Sequence, residues 1–212
     1  HELSFAVKDE LPVLLGNDRC GAPMIVRGLT VWPPLFLAPM AGLTHSALRT
    51  TLLEFGGVGM LSTEMLSASR LPVENADISP YLVRTAVEKP LSYQLLVGEE
   101  KYVPAAMDKV QRLGADSIDL NLGCPAPQVR RMGGGSCLMD DPERVRRIVA
   151  CCRRATDRPL SAKIRLGERL DANSLRDFCR MLAGEGIDLL TVHARLRGES
   201  FDDGRIGTGS AR

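Results

Sequence analysis

The sequence predicts an α/β chain, a TIM-type (β/α) barrel in which about six of the eight units are present. Short apolar segments recur along the chain with helical periodicities between them, and parallel neighbours in a sheet need such crossovers. The first of these segments runs into APMAGLTHS, which lacks the GxGxxG phosphate turn of a doubly wound sheet. Polar residues stand near the C-terminal ends of many different segments, namely Glu64, Gln94, Asn121, Lys163, Arg165 and His193. That distribution is the one a barrel needs when its mouth carries the chemistry. A complete barrel takes about 250 residues, so the last two units are expected to be absent from these 212 residues.

Taken in order, residues 1–34 form a lead-in and hairpin, 35–200 the barrel portion and 201–212 an atypical tail. Met24 to Val26 and Leu29 to Trp32 flank an Arg-Gly turn and predict the hairpin. The strand candidates are Leu35 to Ala38, Val58 to Met65, Leu91 to Leu96, Ser117 to Leu122, Leu160 to Leu166 and Leu189 to Ala194. Between them, Val103, Met107, Val110 and Leu113 mark one helix face, closed by Gly114. Asp141 is placed to cap a second helix, with Pro142 at the first position, where no N–H is missed. Val145, Ile148, Val149 and Cys152 follow on one face of it. Leu175, Phe178, Cys179 and Leu182 repeat the pattern before Gly184. The chain starts without Met and ends in RIGTGSAR, a small-residue tail with no apolar period, so both ends read as cut.

Lys and Arg number 27 against 26 Asp and Glu, a net charge of +1. A purely electrostatic nucleic-acid binder would be more basic; an enzyme that touches RNA locally would not need to be. No apolar run is long enough to span a bilayer, and no secretory signal pattern is present, so no membrane partner is expected. The cysteines, Cys20, Cys124, Cys137, Cys151, Cys152 and Cys179, include no CxxC pair. This is neither a zinc pattern nor a secreted disulfide framework, and it predicts reduced thiols in a cytoplasm; a monomer is expected, though no residue pattern dictates it.

The stretch DLNLGCP begins as a strand and then breaks on glycine, exposes one thiol and locks on proline. A structural cysteine would more usually sit inside the element. Cys124, just past a strand end, reads as an acid or nucleophile at the barrel mouth, against the alternative of an inert thiol. Lys163 lies inside the apolar run SAKIRL, and alternation puts Arg165 on its face. Lysine is almost never buried without a partner, so two inward cations imply an anionic ligand or a developing charge, unless one pairs with Asp119. His193 ends its strand as a core residue or a site residue. Gln94 can donate and accept at once, which suits a flat heterocycle with C=O beside N–H, and Asn121 can do the same. Gly133, Gly134 and Gly135 predict a flexible lid, since no GKS or GKT follows to make a phosphate loop. The arginines 144, 146, 147, 153, 154 and 158 read as a solvated outer face, with RNA contact as the alternative. HExxH and GxSxG are missing. A mouth lined by amides, cations and one thiol suits a planar organic cofactor better than a metal.

The blocks APMAGLTHSALR, TEM, SYQLLVG, GADSIDLNLGCPAPQV, GGGSCLMDDPE, SAKIRLG and LLTVHAR, in this order, resemble the tRNA-dihydrouridine synthases. The resemblance runs from about Leu35 to Arg195. It implies a flavoprotein with an FMN-binding barrel and a helical tRNA-binding domain, the latter expected to be absent from these 212 residues. It further implies reduction of the C5=C6 bond of uridine in tRNA, with NADPH or NADH as electron source. Pro39, Met40 and Ala41 would lie along the flavin, Gln94 on its pyrimidine side, Lys163 near N1 and O2, and His193 beside the flavin or its phosphate. Asn121 would orient the uracil or the ring, and Cys124 would be the general acid. Arg165, Arg130 and Arg131 are candidates for RNA backbone contact. Gln128, Ala194 and Leu196 depart from residues common in the family, where lysine, glycine and threonine stand.

The chemistry of the residues agrees. Reduced flavin carries negative charge over N1 and C2=O, which an inward ammonium stabilises. Hydride goes to uridine C6, and C5 then needs a proton from the opposite face, which a thiol protonated at neutral pH can give. The base must leave its stack to reach such a cavity. Two alternatives stay open at this point: another FMN barrel acting on a free pyrimidine, as dihydroorotate dehydrogenase does, and an inactive fragment.

Overall fold

The computed structural model describes residues 22–199. The chain enters through an antiparallel hairpin of β1 (Met24–Val26) and β2 (Leu29–Val31), with Val26 opposite Leu29. Arg27 and Gly28 make the turn at φ 43° and 81°, and positive φ at both central residues matches the twist of the flanking strands. Glycine reaches that region without penalty; Arg27 does so while Nε donates to the Asp157 carbonyl at 3.0 Å and NH1 to Asp188 Oδ1 at 3.2 Å. Met24, Val26 and Val31 bury against Met60 and Leu189, which lie at the beginnings of two barrel strands. The expected hairpin is therefore present, and it covers the N-terminal end of the barrel, a role the sequence did not announce.

The expected strand over Leu35–Ala38 is reduced to a single parallel bridge between Phe36 and Met60. Leu37 N donates to Met60 O at 2.9 Å and Gly59 N to Leu35 O at 2.8 Å. Pro33, Pro34 and Pro39 hem the segment in, and a proline has no N–H to extend a ladder. The remaining elements are α1 (Ser46–Phe55), β3 (Leu61–Ser67), β4 (Leu91–Leu96), α2 (Val103–Arg112), β5 (Ser117–Leu122), α3 (Pro127–Arg131), α4 (Pro142–Ala155), β6 (Leu160–Ile164), α5 (Ala172–Gly184) and β7 (Leu189–Val192). Strands and helices alternate as expected except between β3 and β4, where only a 3₁₀ turn at Leu71–Val73 stands in place of a helix. β3 begins and ends later than its apolar run suggests. β6 and β7 stop before Leu166 and His193, where the chain turns outward.

The five strands β3 to β7 are all parallel and lie in sequence order. A doubly wound sheet would reverse its order at a switch point; this one does not. The fold is a TIM-type (β/α) barrel portion, and among the described residues β7 is its last strand, with Thr191 and Val192 exposed. Its outer face is apolar. Tyr93, Leu95, Ile118, Leu120, Leu122, Leu160, Ala162 and Ile164 pack beneath Val103, Met107 and Val110 of α2, Val145, Ile148, Val149 and Cys152 of α4, and Phe178 and Leu182 of α5. Each Leu, Ile or Val buried in this way contributes about 1.5–3 kcal/mol. Among the described residues no helix is long and apolar enough to cross a membrane.

The helix signals hold at their termini. Asp141 Oδ1 accepts from Arg144 N at 3.0 Å, with Pro142 behind it, and Gly114 ends α2 at φ 74°. Asp141→Ala is expected to cost about 1 kcal/mol, as loss of a helix cap does, seen as a lower urea midpoint with an unchanged m-value.

Candidate active site

Strand periodicity places the site. In register, Gln94 faces Asp119, Asp119 faces Ser161, and Asn121 faces Lys163, which faces Thr191. Side chains of a strand alternate between faces, so these residues share the inner face while the apolar set covers the outer one. Gln94 is fully buried, and Asp119 and Asn121 are buried. The barrel interior is thus polar here, built from amides, a carboxylate, a hydroxyl and an ammonium.

A continuous set of hydrogen bonds links them. Ser161 Oγ donates to Asp119 Oδ1 at 2.5 Å, and Gln94 Nε2 donates to Asp119 Oδ2 at 2.6 Å. Asn121 Nδ2 donates to Gln94 Oε1 at 2.9 Å. Asn121 Oδ1 then accepts from Gly123 N at 3.2 Å and Cys124 N at 2.9 Å. Gln94 keeps one N–H and one acceptor position, and Asn121 one N–H, beyond these bonds.

Burial pushes the Asp119 carboxyl above its ordinary range, and the hydrogen bonds from Ser161 and Gln94 and the charge of Lys163 only partly oppose this. Burial likewise holds the Lys163 ammonium below its ordinary value, with Asp119 pulling it back up and Arg165 pushing it further down. Among the described residues Lys163 has electrical neighbours but no hydrogen bond or salt bridge. The His193 imidazole is held below its ordinary value by burial, then by the charges of Lys163, Arg165 and Arg195. Its backbone N donates to Ile164 O at 2.9 Å, continuing the β6–β7 register.

Arg165 is buried, and its NH1 donates to the carbonyls of Leu196 at 3.0 Å and Glu199 at 3.4 Å. It lies within electrostatic reach of Cys124. Arg130 and Arg131, on α3 just after the thiol turn, are exposed. Pro39, Met40 and Ala41 stand apart from the hydrogen-bonded set, at the end of β3. There Thr44 Oγ1 accepts from Met40 N at 3.1 Å and Glu64 Oε2 from Gly42 N at 2.5 Å. Ala41, Glu64, Met65 and Tyr81 line a cleft of about 490 Å³ beside this loop.

The expected glycine lid is instead a packed wall. Gly134 and Gly135 are buried, and Ser136 N donates to Cys124 O at 3.0 Å. A Cβ on Gly135 would meet Cys124 O at 2.4 Å and Val129 Cγ1 at 2.6 Å. These glycines are needed for close backbone approach, and that contact fixes the Cys124 turn from outside. The arginines of α4 meet the expected solvated face only in part. Arg146, Arg147 and Arg154 are exposed, Arg146 pairing with Glu185 at 2.7 Å. Arg144 instead donates to Gly98 O, and Arg153 is largely buried, paired with Asp188 at 2.9 Å and donating to backbone carbonyls. Cys152 is a core thiol, which burial pushes up to about 12. Cys20 lies outside the described residues.

Sequence reasoning missed three contributors. Ser161 carried no signal beyond facing inward. Glu64 was noted at a strand end but not as the clamp of Gly42. Arg49 and Glu88 form a buried pair at 2.5 Å, and Arg49 NH1 also donates to Thr44 O at 2.6 Å, behind the Pro39–Ala41 loop.

The family model that matches this chain is described as dihydrouridine synthase and covers residues 36–207. The chain belongs to the dihydrouridine synthase family. It is 34% identical to the tRNA-dihydrouridine(16) synthase of Neisseria meningitidis, over 79% of this chain and 53% of that protein. It is 34% identical to tRNA-dihydrouridine synthase B of Pseudomonas putida, over 79% of this chain and 49% of that one. With a probable tRNA-dihydrouridine synthase 1 of Synechocystis it shares 29% identity over 85% of this chain and 50% of the relative. This dihydrouridine synthase family chain therefore spans about half the length of the curated relatives it matches. In fold it is similar to histamine dehydrogenase from Rhizobium sp. 4-9, with a TM-score of 0.60 at 12% identity, over 82% of this chain and 37% of that one. Phosphonopyruvate hydrolase is similar at a TM-score of 0.50 and 16% identity, over 71% of this chain and 56% of the other.

Proposed function

We propose that this chain is the catalytic barrel portion of a tRNA-dihydrouridine synthase, which reduces the C5=C6 bond of a uridine in tRNA. The observation that carries this reading is the state of Lys163. It is an ammonium on the inner face, depressed by burial and lacking any contact anion among the described residues. A ligand with negative charge would complete it. Beside it on the same face stands Gln94 with one free N–H and one free acceptor position, the pattern needed to read a ring edge with N–H next to C=O. These residues fit an FMN isoalloxazine, with Pro39, Met40 and Ala41 along its length and His193 at its margin.

When bound, FMN supplies hydride to C6 of the base, after being reduced by NADPH or NADH. The rest falls to the protein's own residues. Asn121 holds the Cys124 turn and offers its remaining N–H to the base or the flavin. Cys124 holds the proton that C5 takes, and water restores that proton to the thiolate. Lys163 balances negative charge on the inner face. Arg130 and Arg131, exposed beside the turn, take RNA phosphates, and Arg165 supports the 196–199 segment over the mouth. The uridine leaves its stack to enter.

The test is twofold. The purified protein, reconstituted with FMN, should show bound flavin absorbance. It should also convert uridine in unmodified tRNA to a product heavier by two hydrogens when given NADPH or NADH. Flavin binding with turnover of free dihydroorotate and none of tRNA would overturn the substrate assignment.

A further inference from the structure

We infer that Asp119 is a positioning residue: as the terminal acceptor of the Gln94–Asn121 chain, it fixes both amides and, through them, the backbone turn that presents Cys124. Its meaning for catalysis rests on the dihydrouridine synthase reading above; the geometry does not.

The direction of the hydrogen bonds is dictated from both ends. At the mouth, the backbone N–H groups of Gly123 and Cys124 can only donate, so the Asn121 amide must turn its oxygen to them. That places Asn121 Nδ2 against Gln94, which must answer with Oε1. Gln94 Nε2 is then aimed down the barrel and needs an acceptor. Asp119 Oδ2 supplies it at 2.6 Å. Oδ2 accepts here while Ser161 occupies Oδ1, so this carboxyl oxygen suits the orientation of Gln94 that the mouth already requires, whereas the flipped one would leave Asn121 Nδ2 without an acceptor. Ser161 Oγ, donating to Oδ1 at 2.5 Å, holds the carboxylate itself in place.

Three adjacent strands are thereby locked to one loop. Gln94 rides on β4, Asp119 and Asn121 on β5, and Ser161 on β6. Asp119 is buried and touches neither the turn nor Cys124. Its influence runs through two buried side chains, Gln94 and Asn121. A flipped Gln94 amide would put its spare donor and acceptor in each other's places, and would present two N–H groups to Asn121 Nδ2. Asp119 therefore sets both the recognition pattern offered by Gln94 and the seat of the thiol.

The experiment is hydrogen exchange on the purified chain, resolved at the Gly123 and Cys124 amides, with the Ile118 and Leu160 amides at the opposite end of the same strands as reference. Asp119→Leu removes the acceptor. Asp119→Asn keeps an oxygen for Gln94 Nε2 and can donate to Ser161 Oγ. We expect Asp119→Leu to speed exchange at Gly123 and Cys124 about tenfold or more, with the reference amides changed less than about threefold. Asp119→Asn should leave both sets within about threefold of wild type. Should the leucine variant not fold, Asp119→Ser, too short to reach Gln94, replaces it with the same expectation. Equal acceleration of both amide sets would mean ordinary destabilisation and overturn the inference. So would an asparagine variant as disturbed as the leucine variant, or a folded leucine variant with unchanged exchange at Gly123 and Cys124. Activity on tRNA does not enter this readout, so failure of the functional assignment is separately visible.

Discussion

Cys124→Ala is expected to lower tRNA reduction by about 10²–10⁴-fold, the usual weight of a positioned general acid, while the protein keeps its flavin. The turn should survive the change because its hydrogen bonds are made by the backbone. Cys124 N donates to Asn121 Oδ1, and Cys124 O accepts from Ser136 N; the thiol holds neither. In the proposed mechanism hydride delivery to C6 would not depend on sulfur, whereas the proton needed at C5 would. Flavin absorbance, flavin reduction by NADPH or NADH and nucleoside analysis of the tRNA read the three stages separately. Only the last should collapse. Cys152→Ala is the contrast. That thiol is fully buried on α4 and pushed up to about 12 by burial, so its loss should lower the urea midpoint and leave turnover per folded molecule unchanged. A Cys124→Ala protein with full turnover would remove this residue as the acid.

How far the site could be read from sequence depends on the kind of interaction. The inner-face ring was legible because a strand has a period of two, and Asp119, Asn121 and Lys163 interrupt apolar runs at that period. The barrel itself followed from the repeated alternation and the missing phosphate turn. The strand over Leu35–Ala38 was not legible at its true length. Its apolar composition is right for a strand, but the prolines on either side remove the donors a ladder needs. The glycine run misled because composition reports backbone freedom and cannot report how that freedom is used; here it is used up in contact with the Cys124 carbonyl. The direction of the amide chain was also out of reach. It depends on which oxygen meets which nitrogen across three strands, and the sequence gives only residue types.

The same limit hid the interaction whose loss should harm the fold most. Arg49 sits in the middle of α1 and Glu88 in a polar loop before β4, so each reads locally as surface. In the structure both side chains are buried, at 1% and 0% exposure. Arg49 NH1 and NH2 donate to the carbonyls of Thr44 and Val83, at 2.6 and 3.0 Å. Glu88 accepts from Arg49 Nε at 2.5 Å, Ser46 Oγ at 2.5 Å and Thr85 N at 2.8 Å. Glu88→Gln leaves the guanidinium buried without a counter-charge, and such a break is expected to cost about 3–5 kcal/mol. Arg49→Met should cost less, because Glu88 keeps Ser46 and Thr85 and can take up a proton. The pH dependence carries its own sign. Burial alone would raise the Glu88 carboxyl. The hydrogen bonds from Ser46, Thr85 and Arg49, with the charge of Arg49, outweigh it and hold the group below its ordinary 4.5. The folded state therefore favours the ionised form. Its contribution is complete above about pH 4.5 and is lost as pH falls through the lower folded value. Urea midpoints of wild type should drop across that acid window, and those of Glu88→Gln should drop less; parallel curves would sink the assignment. The consequence reaches the site because Arg49 holds Thr44, and Thr44 holds Met40. A Glu88→Gln protein that still folds should thus bind flavin more weakly while retaining the Cys124 turn, which is anchored on other strands.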